Sequence, residues 1–178
     1  LPPNDPRRQL IKVLKKLLRK ARFTEFGQRY RFDDALLSKH PGKKFQELVP
    51  VHDYNKIYEE WWKKTLDGVP DVTWPGKIKY YALSSGTSEA ASKYIPVTKE
   101  LLRSNTVNYL RQLLSLLSYQ EANKRAMAKG FLMIGGTTDL KKGNAGWYAG
   151  DLSGILAKKR PFWFQSFYKP GGRIAAIG

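Results

Sequence analysis

The chain has 178 residues, of which 42% are apolar, 13% aromatic and 26% charged, a composition typical of one folded domain rather than of a disordered chain. It contains no cysteine, which excludes disulfides, thiolate nucleophiles and cysteine-ligated zinc and favours a cytoplasmic location. No apolar run approaches the roughly 18 residues that a membrane-spanning helix needs. Lys and Arg number 32 against 15 Asp and Glu, and the net charge of +17 favours negatively charged partners.

The two chain ends lead us to expect one part of a larger protein. Leu1 is not an initiating methionine, and Gly178 comes directly after the apolar stretch Ile174–Ile177. We therefore expect a missing C-terminal remainder that carries compensating acidic residues.

Residues 1–76 predict a mainly helical region. Asn4 or Asp5 is placed to cap a first helix, which has Pro6 in its first turn and runs to about Ala21. One face of this helix is apolar and the rest is basic: Leu10, Val13, Leu14, Leu17, Leu18 and Ala21 against Lys12, Lys15, Lys16, Arg19 and Lys20. The pattern favours a helix packed on a core, and a helix that binds a membrane surface or a partner is the alternative.

The rest of this region predicts a connection, a turn and further helices. Arg29–Asp34 is typical of a connection and His40-Pro41-Gly42 of a turn, with a short helix between them. Asp53 can cap another helix that extends through Asp67, and Gly68 would end it.

Residues 77–178 predict strands that alternate with helices. In Lys77–Leu83 the residues Ile78, Tyr80 and Ala82 alternate with Lys77, Lys79 and Tyr81, which predicts a half-buried strand with the first set facing a core. Tyr94–Val97 predicts a second short strand. The two regions together predict an α/β fold in which a helical N-terminal part packs on a partial sheet.

The segments that follow predict further elements of the same fold. Thr98 is placed to cap a long helix that reaches the Lys124–Lys129 region. Phe131–Ile134 predicts a buried strand, Lys141–Gly150 a flexible loop and Asp151–Ala157 a helix.

The loop between the first two strands carries the most informative motif. Its glycine permits close backbone approach, its hydroxyls can donate to phosphate oxygens, and its lysine adds a positive charge. The candidate phosphate-binding residues are Ser84, Ser85, Gly86, Thr87, Ser88 and Lys93. An ordinary serine-rich turn has a similar composition and is the alternative.

Two better-known motifs do not fit this loop. A Walker A loop has its lysine six positions after the first glycine, whereas Lys93 follows Gly86 by seven. A serine hydrolase of the α/β type needs its histidine after the serine, and both histidines, His40 and His52, come before the loop. No cluster of His, Asp and Glu has the spacing of metal ligands, so the sequence predicts no protein-ligated metal.

The loop and its flanks resemble a known family. Ser84–Ser88 followed by Lys93–Thr98 resembles the phosphate-loop signature of the auxin-responsive Gretchen Hagen family of acyl acid amido synthetases, which belong to the adenylate-forming superfamily with firefly luciferase. Further similar segments lie along most of the chain: Leu17–Gly27, Leu48–Val51, Trp74–Lys79, Gly150–Ile155 and Phe167–Gly171.

The resemblance implies a two-step ligase. A carboxylic acid would attack the α-phosphate of Mg-ATP to give an acyl-adenylate and pyrophosphate, and an amine such as an amino acid would then take the acyl group. The matched motif implies that Ser84–Ser88 and Lys93 hold the β- and γ-phosphates, with ATP and Mg²⁺ as the required cofactors. Tyr109 and either Arg111 or Gln112 lie near where the family contacts the acid and are the implied acyl-pocket residues; helix register decides which of them points inward, and core packing or surface charge is the alternative role.

The resemblance also implies an incomplete enzyme. The family's adenine- and ribose-binding motifs and its C-terminal lid would lie beyond Gly178, so the whole chain, residues 1–178, corresponds to a partial N-terminal domain that does not complete the reaction alone. Ala90 stands where members of the family often carry a second glycine.

A basic binding module is the alternative function. The net charge, the basic first helix and the aromatic stretch Pro161–Tyr168 would suit nucleic acid or an anionic membrane surface.

Overall fold

The computed structural model describes residues 5–84, 92–119, 130–132, 136–160 and 168–169. Its contacts divide the chain into two compact units, residues 1–78 and 79–178. The first unit is helical, and the second combines a mixed sheet with helices, which confirms the predicted α/β class.

The helices of the first unit follow one another through short connections. They are α1 (Pro6–Ala21), α2 (Glu25–Arg29), α3 (Phe32–Leu37), α4 (Pro41–Leu48), α5 (Tyr54–Ile57), a π-helical turn (Tyr58–Trp62) and α6 (Lys63–Leu66). The predicted first helix is confirmed, and the Asp5 carboxylate caps it by accepting a hydrogen bond from the Arg7 amide at 2.9 Å. The negative carboxylate satisfies an amide that has no partner within the helix.

The predicted connection at Arg29–Asp34 is wrong in its length. It consists of two residues, because Arg29 ends α2 and Phe32 begins α3, with Arg31 between them in a left-handed conformation (φ 50°). The predicted turn at His40-Pro41-Gly42 is wrong as well, since Pro41 begins α4. Proline suits the first helical turn, where its missing amide hydrogen would have no partner.

The core of the first unit forms where α1 packs against α3 and α4. Leu18, Ala21, Phe32 and Ala35 are buried there. Phe26 and Phe45 pack at its margin, with the rings of Phe26 and Phe32 5.9 Å apart in an edge-on arrangement. Burial of these side chains supplies the main free energy that holds the short helices together, because helices this short are not stable alone.

The helix predicted after Asp53 is confirmed, with an irregular middle. The Asp53 carboxylate accepts a hydrogen bond from the Lys56 amide at 2.8 Å, and Gly68 with a φ of 83° follows the end of α6. Between them the Lys63 amide donates to the carbonyl of Tyr58, five residues earlier, which is the spacing of a π-helical turn. Trp61 in this turn is buried, with its ring 5.0 Å from that of Phe26.

The second unit is built on a four-stranded sheet. Its elements are β1 (Tyr80–Ser84), β2 (Lys93–Val97), α7 (Lys99–Tyr119), β3 (Phe131–Leu132), β4 (Lys141–Lys142), β5 (Tyr148–Gly150), α8 (Leu152–Lys158) and β6 (Tyr168–Lys169). The strand order is β2-β1-β5-β4, and β3 pairs with β6 in a separate two-stranded parallel sheet. β1 is antiparallel to β2 and parallel to β5.

Two predictions for this sheet are wrong. Lys141–Gly150 was expected to be a flexible loop, but it contains β4 and β5, whose antiparallel pairing extends the sheet beyond β1. Tyr81 was expected on the exposed side of its strand, yet it is 0% exposed because Tyr94 and Trp147 pack against its ring at centroid distances of 6.3 and 5.4 Å. Both faces of β1 are therefore covered, and the alternation in its sequence does not separate core from solvent.

The other face of the sheet carries the core of the second unit. Ala82, Val97, Leu140 and Ile155 are buried there, with Leu102 of α7 beside them. The predicted cap of α7 is confirmed, since the Thr98 hydroxyl accepts from the Leu101 amide at 3.1 Å. In the part of the chain that the structure describes, no helix has the length and apolar character to cross a membrane.

Two sequence predictions extend past these elements. The reach of the long helix to Lys124–Lys129 and the end of the strand at Ile134 lie outside the described residues.

Candidate functional site

The candidate phosphate loop joins the paired ends of β1 and β2. Ser84 and Lys93 are opposite one another and form the last residue pair of this antiparallel ladder. The candidates Ser85, Gly86, Thr87 and Ser88, together with Ala90, lie outside the described residues. The hairpin therefore brings two of the six candidate residues, Ser84 and Lys93, opposite one another. The other four candidates lie between these two residues in the sequence.

The side chains of Ser84 and Lys93 share one face of the sheet. Paired residues of an antiparallel ladder point to the same side, and side chains along a strand alternate. Ser84 is thus on the side of Ala82, which belongs to the buried cluster with Ile155 of α8. Ser84 is half-buried, whereas Lys93 is exposed. One hydroxyl close to the core and one ammonium group near solvent are a donor set that fits phosphate oxygens.

A second segment reaches the same edge of the sheet. β5 runs parallel to β1, with Ala82 opposite Gly150, so the carboxyl ends of both strands meet at one edge. Asp151 follows β5 at this edge and α8 begins directly after it. In open α/β sheets ligands bind at the carboxyl ends of parallel strands. The sequence does not indicate the position of Asp151 at this edge, because β5 has three residues and is too short for a periodic pattern.

The start of α8 is held in close contact with the segment before β4. The Gly136 amide donates to the Ser153 hydroxyl at 2.8 Å, and the Lys158 ammonium donates to the Thr138 carbonyl at 3.4 Å. Gly154 lies against the backbone of Thr137 so closely that a β-carbon would overlap with the carbonyl oxygen. These contacts fix the edge of the sheet where the candidate loop begins.

The acyl-pocket candidates occupy different environments on α7. Tyr109 is half-buried, whereas Arg111 and Gln112 are exposed. Burial raises the pKa of the Tyr109 hydroxyl above its usual value of 10.0, and the positive charge of Arg160 lowers it by a smaller amount. Of the three candidates, Tyr109 is thus the one that turns toward the interior of its unit.

The described residues offer little for direct metal ligation. Among them, no group of three or more His, Cys, Asp or Glu side chains is placed to hold a metal ion. Mg²⁺ commonly keeps several waters and is bound through substrate phosphates plus one or two carboxylates. Among the described residues, Asp151 is a single exposed carboxylate that follows β5 at the sheet edge.

Comparison with known proteins identifies the class of this chain. The family model described as the GH3 family N-terminal domain matches residues 4–173. The chain therefore belongs to the GH3 family, the Gretchen Hagen family that its motifs resemble. None of the curated proteins compared with the chain matches it.

Two solved structures have the same fold. A structure of GH3.15 acyl acid amido synthetase is 22% identical, with a TM-score of 0.62 over 83% of this chain and 25% of that chain. A structure of AtGH3.15 acyl acid amido synthetase in complex with 2,4-DB is 20% identical, with a TM-score of 0.60 over 90% of this chain and 28% of that chain. The chain thus spans about a quarter of the length of the solved structures it matches.

Proposed function

We propose that this chain is the phosphate-binding N-terminal part of an ATP-dependent acyl acid amido synthetase. The observation that carries the proposal is the Ser84–Lys93 pair, which closes a hairpin at the sheet edge shared with Asp151 in a chain of the GH3 family. The hydroxyl and ammonium groups at this edge suit the β- and γ-phosphates of ATP. The cytoplasmic location expected from the cysteine-free sequence stays a prediction.

The reaction that we propose has two transfers. A carboxylate oxygen of the acid bonds to the α-phosphorus of ATP, and the bond from that phosphorus to the bridging oxygen breaks to release pyrophosphate. The amine nitrogen then bonds to the acyl carbon while AMP leaves, and the amine loses a proton. The full reaction would require segments beyond this chain, because the part of this chain that matches the solved relatives covers only 25% and 28% of their length.

The proposed role of the loop is to stabilise the departing pyrophosphate. Negative charge accumulates on the β-phosphate oxygens as the bond to the α-phosphorus breaks. Lys93 would offset this charge, and the Ser84 hydroxyl with Ser85, Gly86, Thr87 and Ser88 would supply hydrogen-bond donors of fixed position. Mg²⁺ would offset further charge on the phosphates, and the Asp151 carboxylate, which follows β5 at the same sheet edge, would help to hold it.

The substrate class follows from the relatives and from α7. The solved relatives are named as acyl acid amido synthetases, and one is described in complex with 2,4-DB, so we propose an acyl acid and an amine as substrates. Tyr109 is the best candidate on α7 for contact with the acid because it faces inward, whereas Arg111 and Gln112 face solvent.

Binding of magnesium pyrophosphate to the chain tests this proposal. We expect titration calorimetry to detect binding, and Lys93→Ala to weaken it by about tenfold or more, since a charge-assisted hydrogen bond contributes roughly 1.5–3 kcal/mol. Lys99→Ala is the matched control, because Lys99 is an exposed lysine in the first turn of α7. Equal weakening by both substitutions would indicate that pyrophosphate is held by general charge attraction, which would contradict the proposal.

A further inference from the structure

Helix α1 leaves half of its apolar face in solvent. The side of the helix that packs on the core buries Leu18 and Ala21, which are 2% and 4% exposed. Leu10, Val13 and Leu17, which the sequence places on the same face, are 70%, 53% and 46% exposed. The apolar surface of α1 therefore extends beyond the part of the helix that packs on the core.

The three exposed residues form a continuous stripe. Their spacing of three and four positions places them on one side of the helix, over a length of about 10 Å. Lys16 and Lys20 lie one turn after Val13 and Leu17 respectively, and both are exposed at the margin of the stripe.

The charge of α1 has one sign. The sequence of its 16 residues contains no Asp or Glu. Its cations are Arg7, Arg8, Lys12, Lys15, Lys16, Arg19 and Lys20. A partner that covers the stripe must therefore lie beside several lysine and arginine side chains. A surface with negative charge suits this arrangement, because it attracts these side chains.

We propose that α1 binds the surface of an anionic lipid bilayer, with its axis in the plane of the interface. Leu10, Val13 and Leu17 would enter the boundary between headgroups and acyl chains, while Lys16 and Lys20 contact lipid phosphates. The buried side of the helix stays anchored to the first unit through Leu18, so only a shallow and reversible contact is possible. Nucleic acid explains the cations but leaves the apolar stripe in water.

Sedimentation of the 178-residue chain with vesicles tests this proposal. We expect binding to vesicles that contain about one third phosphatidylglycerol and little binding to pure phosphatidylcholine, because each basic residue near an anionic surface adds attraction. A Leu10→Ser, Val13→Ser, Leu17→Ser variant should bind on the order of tenfold more weakly, since the three side chains lose their apolar contact. These positions are exposed, so the fold should keep its circular dichroism spectrum and melting temperature.

Charge-matched variants separate this site from general attraction. Lys16→Gln with Lys20→Gln should weaken binding on the order of tenfold. Lys141→Gln with Lys142→Gln, which removes the same charge from exposed residues of the second unit, should change it less than about twofold.

Three outcomes would overturn the proposal. The first is binding that depends on charge but not on the serine substitutions, together with displacement by single-stranded RNA, which would indicate a nucleic-acid site. The second is concentration-dependent dimerisation that the serine variant abolishes, which would assign the stripe to a second copy. The third is loss of vesicle binding in a longer chain of this protein that includes any following domain, which would assign the stripe to an internal interface.

Discussion

The carbonyl oxygen of Thr137 occupies the space that a β-carbon on Gly154 would need. Gly154 lies in α8, and its contact with the segment before β4 brings the helix against the sheet edge where the candidate loop begins. The obstacle is backbone, which cannot move aside as a flexible side chain can.

Substitution of Gly154 by alanine should therefore destabilise the second unit. We expect a loss of about 1–3 kcal/mol in the free energy of unfolding, as found when atoms are forced into packed interiors. Gly42→Ala is the control, because Gly42 lies in helix α4 with open space around the new β-carbon. That change should be neutral or stabilising by up to about 1 kcal/mol. Urea unfolding of both variants measures the difference, and equal effects would contradict the close contact.

Thr24 links the end of α1 to the start of α2. Its buried hydroxyl donates to the Ala21 carbonyl at 2.7 Å and accepts from the Gly27 amide at 3.1 Å. Thr24→Val keeps the shape but loses both hydrogen bonds, so we expect a loss of about 1–3 kcal/mol in the first unit. Thr24→Ser keeps the hydroxyl and should cost clearly less. A valine variant as stable as the serine variant in thermal unfolding would show that the hydroxyl is not a cap.

The hydroxyl of Tyr109 should make stability depend on alkaline pH. Burial raises its pKa in the folded chain, so the folded state holds this proton in a range where the unfolded state has released it. Stability is thus full below the unfolded pKa of 10.0 and is lost as the pH rises through the higher folded pKa. Tyr109→Phe should remove this part of the alkaline decline. Denaturant unfolding at neutral pH and above pH 10 tests the expectation, and an unchanged decline in the variant would contradict it.

The ring of Tyr81 should contribute strongly to the second unit. It is fully buried between Tyr94 and Trp147, so Tyr81→Ala would leave a cavity and cost about 3–5 kcal/mol. Ile95 in the paired strand is 39% exposed, and Ile95→Ala should cost much less. Calorimetric unfolding distinguishes the two, and comparable losses would show that the aromatic cluster does not hold the sheet.

The helices and strands that the sequence predicts correctly are those with a signal in a few neighbouring residues. The cap Asp5 with Pro6 located α1, Thr98 located the start of α7, and the two strands beside the candidate loop were recognised from their composition. Such signals act within one or two turns of chain. The structure confirms them because tertiary contacts agree with the local preferences.

The elements that were missed depend on distant contacts. β4 and β5 have two and three residues, too few for a periodic pattern, and β5 exists because β1 provides its partner edge. The burial of Tyr81 likewise depends on Trp147, which follows far along the chain. For the site, the sequence predicts a loop between two strands that end at Leu83 and begin at Tyr94, whereas the structure extends both strands by one residue and pairs Ser84 with Lys93. The approach of Asp151 to the same edge depends on the sheet order, which the sequence does not give.

Hydrogen–deuterium exchange of the chain with and without magnesium pyrophosphate is the most direct test of the proposed phosphate site. We expect peptides that cover residues 84–93 to gain protection when pyrophosphate is added, and the gain to disappear in Lys93→Ala while it persists in Lys99→Ala. Protection confined to the basic helix α1, or no change at residues 84–93 under saturating pyrophosphate, would contradict the account.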